Sequence, residues 1–253
     1  MQRLANKVVI VAGGGGGIGA ATAMRLAHEG ATVVVGDLAP DNAAAVADRI
    51  NMGGGRALGM QFDISDEASV AALVNAAVDA FGGLDALHAN AADMGAIMRD
   101  TNAVDVPLEI FDRTIEVNLR GYLLCTRHAV PALLRRGGGT IVYTTSAAAF
   151  VGEPERVCYG ISKSGVHALM HHVASAWGKQ GIRANAVAPG LILTENIRDH
   201  MPAQFKADVL GLGRSPRLGD VRDIAAAVAY LVSDDGEWIN GQVISVDGGA
   251  TLR

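Results

Sequence analysis

The chain reads as short runs of consecutive apolar, largely β-branched residues that alternate with longer alanine-rich stretches of helical character. The runs at 8–12, 32–35, 57–61, 86–89, 140–145, 183–188 and 243–246 predict strands. The stretches at 18–29, 42–50, 67–81, 108–135, 159–179 and 221–232 predict helices. Near-continuous apolar strands separated by helices indicate a parallel sheet covered on both faces. With right-handed crossovers, the expected class is α/β: a three-layer, doubly wound, Rossmann-like sheet of about seven strands. Glycine clusters at 53–55 and 137–139 fall between elements and read as turns. With no internal repeat and no Pro/Ser-rich linker, residues 1–253 parse as one domain. Residues 190–216 break the alternation and carry Met201, Phe205, Val209 and Leu210 in mixed polarity. They are expected to form a substrate lid; a surface helical hairpin is the competing reading.

Composition narrows the partners. A chain of 253 residues, 50% hydrophobic and 4% aromatic, can bury a substantial core of closely packed helices on a sheet. Its net charge of −5, with no basic cluster, argues against nucleic acid or an anionic membrane. Cys125 and Cys158 are too few for a disulfide framework and suit a reducing, cytoplasmic setting. The apolar stretch after Lys7 is too short for a signal peptide and runs into glycines, so it reads as a first strand. No segment offers the ~18 strongly apolar residues of a membrane span. His167 and His171 have a spacing that can bind metal. No third ligand accompanies them, so a surface or subunit contact is expected there and no metal.

Candidate chemistry begins after the first strand. Gly13, Gly14, Gly15, Gly16, Gly17, Ile18 and Gly19 join it to the first helix. Such glycines permit a tight turn and close backbone approach to a pyrophosphate resting on a helix N-terminus. The second strand ends at Asp37-Leu38, eighteen residues beyond Gly19. A carboxylate there accepts both adenosine-ribose hydroxyls and repels a 2′-phosphate. No lysine or arginine lies within residues 13–19 or beside Asp37. NAD is therefore expected over NADP.

Tyr159 and Lys163 stand four residues apart on a predicted helix, and Ser146 lies thirteen residues before the tyrosine. Positions i and i+4 share a helix face. An ammonium beside a phenol favours the phenolate. Bringing tyrosine from its usual ~10 to roughly 7 needs about 4 kcal/mol, within reach of one lysine plus a cationic cofactor.

Taken together these residues resemble the short-chain dehydrogenase/reductase family, in its single-domain form, over nearly the whole chain. The family's glycine signature falls on Ala12, Gly13, Gly17 and Gly19, its adenine-side pair on Asp63-Ile64, and its Asn-Asn-Ala-Gly on Ala89-Asn90-Ala91-Ala92. Its catalytic four fall on Asn118, Ser146, Tyr159 and Lys163, and its Pro-Gly-x-x-x-Thr on Pro189, Gly190 and Thr194, with Ile192 between. The closing Gly241-Gln242 and Val246-Asp247-Gly248-Gly249 are also present. Ala12, Ala89 and Ala92 depart from the pattern and remove bracing around the glycine loop.

The resemblance implies hydride transfer between NAD and a secondary alcohol or ketone. Tyr159 would exchange the substrate proton and Ser146 would hold the substrate oxygen. Lys163 would lower the tyrosine pKa and bind the nicotinamide ribose, Asn118 would hold a water, and Thr194 would fix the carboxamide. Gly13, Gly17, Ile18, Gly19, Asp37, Leu38, Asp63, Ile64, Asn90, Ala91, Pro189, Gly190 and Ile192 would complete the cofactor site. Relatives build a homotetramer from the two long helices, here 108–135 and 159–179. Met94, Ile97, Met98, Phe150, Val151, Leu191, Ile192, Leu193, Met201 and Phe205 suggest an apolar, cyclic or aromatic substrate. Two competing readings are a catalytically silent dinucleotide sensor or scaffold, and an enoyl reductase of the same fold. The intact four residues oppose the first, and the Tyr-x-x-x-Lys spacing opposes the second.

Overall fold

The computed structural model describes residues 2–252, without the side chain of Asn196. Seven parallel strands form its sheet: β1 (Val8–Ala12), β2 (Thr32–Asp37), β3 (Arg56–Gln61), β4 (Ala86–Ala89), β5 (Gly139–Thr144), β6 (Ile182–Pro189) and β9 (Val243–Val246). Their spatial order is β3-β2-β1-β4-β5-β6-β9. The expected parallel, doubly wound architecture is therefore observed. The order reverses direction between β1 and β4, which opens a crevice at the carboxyl ends of those strands.

Strand residues alternate between two cores, because side chains on a strand point to opposite faces in turn. Val8, Ile10 and Ala12 pack with α3 (Glu67–Phe81), α6 (Gly121–Arg135) and α7 (Val157–Trp177). Val9 and Val11 pack with α1 (Gly17–His28), α2 (Pro40–Met52) and α10 (Val221–Val232). Leu26, Leu73, Leu133, Ile141 and Val228 are fully or almost fully buried. Each such side chain contributes about 1.5–3 kcal/mol by leaving water. The register is fixed on both sides of β1: Ile10 pairs with Val34 on β2 and Leu87 on β4.

The expected helix over 108–135 is interrupted. α5 (Leu108–Ile115) passes into a π-helical turn at Glu116–Arg120 and then into α6. Asn118 sits in that turn, fully buried, and its Oδ1 accepts from the backbone N–H of Asp93 at 3.0 Å. A π turn inserts an extra residue and re-aims the side chain it carries. Beyond the predicted elements lie α4 (Met94–Ile97) and a short parallel pair, β7 (Ile192–Leu193) with β8 (Gly219–Asp220). The irregular 190–216 stretch contains two further helices, α8 (Glu195–His200) and α9 (Ala203–Leu212).

Candidate active site

A cleft of about 700 Å³ lies where the strands end. It is walled by residues following β1 (Gly13, Gly17, Ile18), β2 (Leu38), β3 (Asp63, Ile64), β4 (Asn90, Ala91) and β6 (Gly190), with Asp37 and Pro189 at strand ends. Ser146, Tyr159, Lys163, Ile192 and Thr194 line the same cleft. Two expected site residues stand just outside its wall. Gly19 packs behind the glycine loop, and Asn118 is buried next to Val117, which does line the cleft.

The loop is shaped by close approach. A Cβ on Gly19 would fall 1.9 Å from the Gly13 carbonyl oxygen, and one on Gly13 would fall 2.7 Å from Ala91 Cα. Gly13 also has φ +84, a conformation that favours glycine. Gly16 caps α1 without a side-chain hydrogen bond, and the first turn carries no acid. Helix N-termini present unpaired N–H groups and positive partial charge, so this end suits an anion. Asp37 closes the other side: its Oδ2 accepts from Gly15 N–H at 2.8 Å and its Oδ1 from Ala39 N–H at 3.1 Å. Each oxygen keeps a further lone pair for a ligand hydroxyl. Leu38 is 61% exposed beside it, an apolar face for a flat ring. The cradle fits the pyrophosphate and adenosine end of a dinucleotide. Asp63 is tied into its own loop by Ser65, whose hydroxyl and N–H both donate to Oδ1 and hold the carboxyl below its usual range.

The opposite end gathers groups able to exchange a proton, Ser146, Tyr159 and Lys163. Tyr159 and Lys163 share one face of α7, and the Lys163 Nζ lies 5.7 Å from the Tyr159 ring centre. Lys163 is almost fully buried and donates to the Thr144 carbonyl at 3.0 Å and to the Tyr122 hydroxyl at 3.3 Å. Burial lowers its pKa to about 7. Burial also raises the Tyr159 phenol, against the opposing influences of the Ser146 hydroxyl and the Arg156 guanidinium; Glu153 adds to the rise. In the chain alone, then, the phenol is not acidified by its lysine. The Ser146 hydroxyl accepts from Ala148 N–H at 3.1 Å and keeps its own proton available. Thr194 combines two positions: it lines the cleft, and its hydroxyl accepts from Ile197 N–H at the start of α8.

Several contributors gave no signal in the sequence. Asp100 is buried and accepts from the N–H groups of Cys158 and Tyr159, so a distant carboxylate caps the helix that carries Tyr159 and Lys163. Asp93 binds Arg113 at 2.8 Å and, through its N–H, the Asn118 amide. Thr144 joins the Lys163 anchor to Asn90, to which its hydroxyl donates at 3.1 Å. The apolar residues expected around the substrate only partly converge. Met94, Leu191 and Ile192 line the cleft, and Ile197 joins them. Ile97 is buried, Met98 is 85% exposed, and Phe150 packs on His167 at 4.8 Å. Burial pushes the Cys158 thiol up to about 11, which leaves it protonated and inert.

Comparison with known proteins decides the family. The profile of the family described as enoyl-(acyl carrier protein) reductase matches residues 13–251. A probable short-chain type dehydrogenase/reductase of Bradyrhizobium diazoefficiens is 41% identical, over 98% of this chain and 89% of its own. The chain belongs to the short-chain dehydrogenase/reductase family. The cis-4-hydroxycyclohexanecarboxylate dehydrogenase of Sinomonas cyclohexanicum is 38% identical, over 99% of this chain and 98% of that one. The solved structure of a 7α-hydroxysteroid dehydrogenase complexed with NADH and 7-oxo glycochenodeoxycholic acid superimposes with a TM-score of 0.92. It shares 32% identity and covers 100% of this chain and 98% of its own. Among the described residues no group of three or more His, Cys, Asp or Glu side chains is placed to hold a metal, and no helix is long and apolar enough to cross a membrane.

Proposed function

We propose that the protein is an NAD(H)-dependent dehydrogenase that interconverts a secondary alcohol and a ketone on an apolar, cyclic substrate. The observation that carries this reading is a single cleft holding Ser146, Tyr159 and Lys163 at one end and the glycine cradle with Asp37 at the other. The cradle and Asp37 hold the pyrophosphate and adenosine ribose, and Leu38, Asp63 and Ile64 flank the adenine. When bound, oxidised nicotinamide takes up the substrate hydride and brings a positive charge that favours the Tyr159 phenolate. Tyr159 accepts the hydroxyl proton in oxidation and donates one in reduction. Ser146 holds the substrate oxygen beside it. Lys163 binds the nicotinamide ribose, Asn118 holds a water leading towards solvent, and Thr194, with Ile192 and Pro189, positions the carboxamide.

The cyclic substrate is supported by Met94, Leu191, Ile192 and Ile197 on the cleft wall and by relatives named for a hydroxycyclohexane acid and a steroid. Residues 190–216, with α8 and α9, form the substrate lid of a unit spanning 1–253. The chain functions in the cytoplasm as a homotetramer built on α6 and α7.

The test is a panel of alicyclic alcohols and ketones, steroids included, followed by nicotinamide absorbance with NAD and NADP. Turnover with NAD is expected. Tyr159→Phe should lower kcat at least about 100-fold, the usual scale of a lost general acid–base, with NADH binding retained. Full activity in that variant overturns the assigned mechanism. An enoyl thioester belongs on the panel, because the matching family description names an enoyl reductase. Its reduction in preference to every ketone overturns the alcohol–ketone assignment. NADH binding without turnover of any compound favours a sensor.

A further inference from the structure

We propose that His88 is a positioning residue for the cofactor cradle: its Nε2–H orients the Thr144 hydroxyl, which orients the Asn90 carboxamide that holds the loop at Gly13. The inference rests on the reading of residues 13–19 as a dinucleotide cradle.

His88 lies in the middle of the sheet, paired in register with Val11 on β1 and Val142 on β5. It is fully buried, and burial holds its imidazole down to about 3, so the ring is neutral at every working pH. Its Nε2 is 2.8 Å from the Thr144 hydroxyl. The direction of each bond follows from the groups themselves. The Asn90 Nδ2 donates to the Gly13 carbonyl at 2.9 Å, which leaves its Oδ1 as an acceptor for Thr144 at 3.1 Å. A hydroxyl has one proton. Having given it to Asn90, Thr144 must accept from His88, and the imidazole is fixed with its proton on Nε2. The other ring nitrogen has no partner among the described residues.

The chain ends where small displacements matter. The Gly13 carbonyl held by Asn90 is the atom against which Gly19 packs with no room for a Cβ. A shift of that carbonyl displaces the start of α1, the proposed pyrophosphate seat. Ala12 and Ala89, which line up beside each other on β1 and β4, offer no side-chain hydrogen bond to the loop. The polar bracing comes instead from His88, one residue before Ala89, through Thr144. Lys163 is anchored differently. It donates to the Thr144 backbone carbonyl, whose position does not depend on the hydroxyl. His88 therefore acts on the cofactor more than on the proton transfer.

The test compares His88→Val, which removes the donor, with His88→Gln, whose amide nitrogen can replace it. Thr144→Val and Thr144→Ser form a parallel pair. NADH binding is read by fluorescence titration without substrate, and folding by circular dichroism and thermal melts. Both valine variants should bind NADH about tenfold more weakly, the effect of losing one buried orienting hydrogen bond. Glutamine and serine should recover most of the affinity. In the His88 variants the cofactor KM should follow the binding constant while kcat at saturating cofactor changes by less than about twofold. A merely structural histidine would lower the melting temperature and leave the binding constant unchanged well below it. Unchanged affinity in folded His88→Val or Thr144→Val overturns the proposal, as does glutamine behaving like valine. If His88→Val does not fold, the Thr144 pair reads the same link. A parent chain that binds neither NADH nor NADPH would instead defeat the dinucleotide reading.

Discussion

Burial dominates the titration of Lys163 and Tyr159, and its sign differs between them. It penalises the charged form, so it lowers Lys163 to about 7 and raises the phenol of Tyr159. The spacing of the pair was legible in the sequence because it follows from helix geometry alone. The electrostatic state was not legible, because it depends on Tyr122, Thr144 and the surrounding core, which come from other elements. The lysine makes a specific prediction about stability. Its pKa in the folded chain, about 7, lies below the ordinary lysine value of 10.5 that applies when the chain is unfolded. Between those values the unfolded chain binds more protons, so stability rises with pH across that window. Below about 7 both states are protonated and the buried charge exerts its full cost. Thermal melts without cofactor, at pH 6 to 10 (a range set by roughly these two values), should show a gain with pH that Lys163→Met lacks. Parallel pH profiles for the two proteins would contradict a depressed lysine.

At the scale of elements, the seven strands of the main sheet were legible to within two residues at each end because most are short, largely apolar runs, whereas the two-residue pair of β7 and β8 was not. The long helices were legible as positions but not in detail. The π turn at Glu116–Arg120 is coupled to a contact between Asn118 and the backbone of Asp93, twenty-five positions earlier. The cap on α7 comes from Asp100, far outside the helix. Neither leaves a periodic trace. α9 buries no side chain, so no apolar stripe announced it. The N-terminus of α1 shows the opposite case, where local sequence departs from the best helix chemistry for a reason. Gly16 has an extended backbone that any residue adopts, and a Cβ there would meet nothing within 4 Å. Gly16→Asp should cap the helix and complement its dipole, raising stability by about 0.5–1 kcal/mol in denaturant melts. The same carboxylate would occupy the proposed pyrophosphate seat and repel the phosphates, so NADH affinity should fall at least about tenfold. A variant both more stable and equally tight for NADH would show that the phosphates rest elsewhere.

Across the whole molecule, the parallel sheet gathers the cleft-lining residues at one rim, and the order reversal between β1 and β4 provides the space between them. The fold class was therefore the most legible feature, since alternation of strands and helices largely dictates it. What lies on the outer helical face is a separate question. α6 exposes Leu123 and α7 exposes Ile161, each about half accessible. A Cβ on Gly165 would touch Leu119, so the π turn leading into α6 and the helix α7 run against each other there. Exposed apolar positions on adjoining helices are the feature expected of a subunit contact. Sedimentation equilibrium should give a mass about four times the 26.1 kDa chain. The double variant Leu123→Glu/Ile161→Glu should dissociate it, because two carboxylates per chain cannot be buried unpaired at the contact. The variant chain should keep its circular dichroism spectrum, since neither side chain belongs to either core. A parent protein that sediments as one chain rules out the tetramer, and a tetramer indifferent to both substitutions places its contacts on another face.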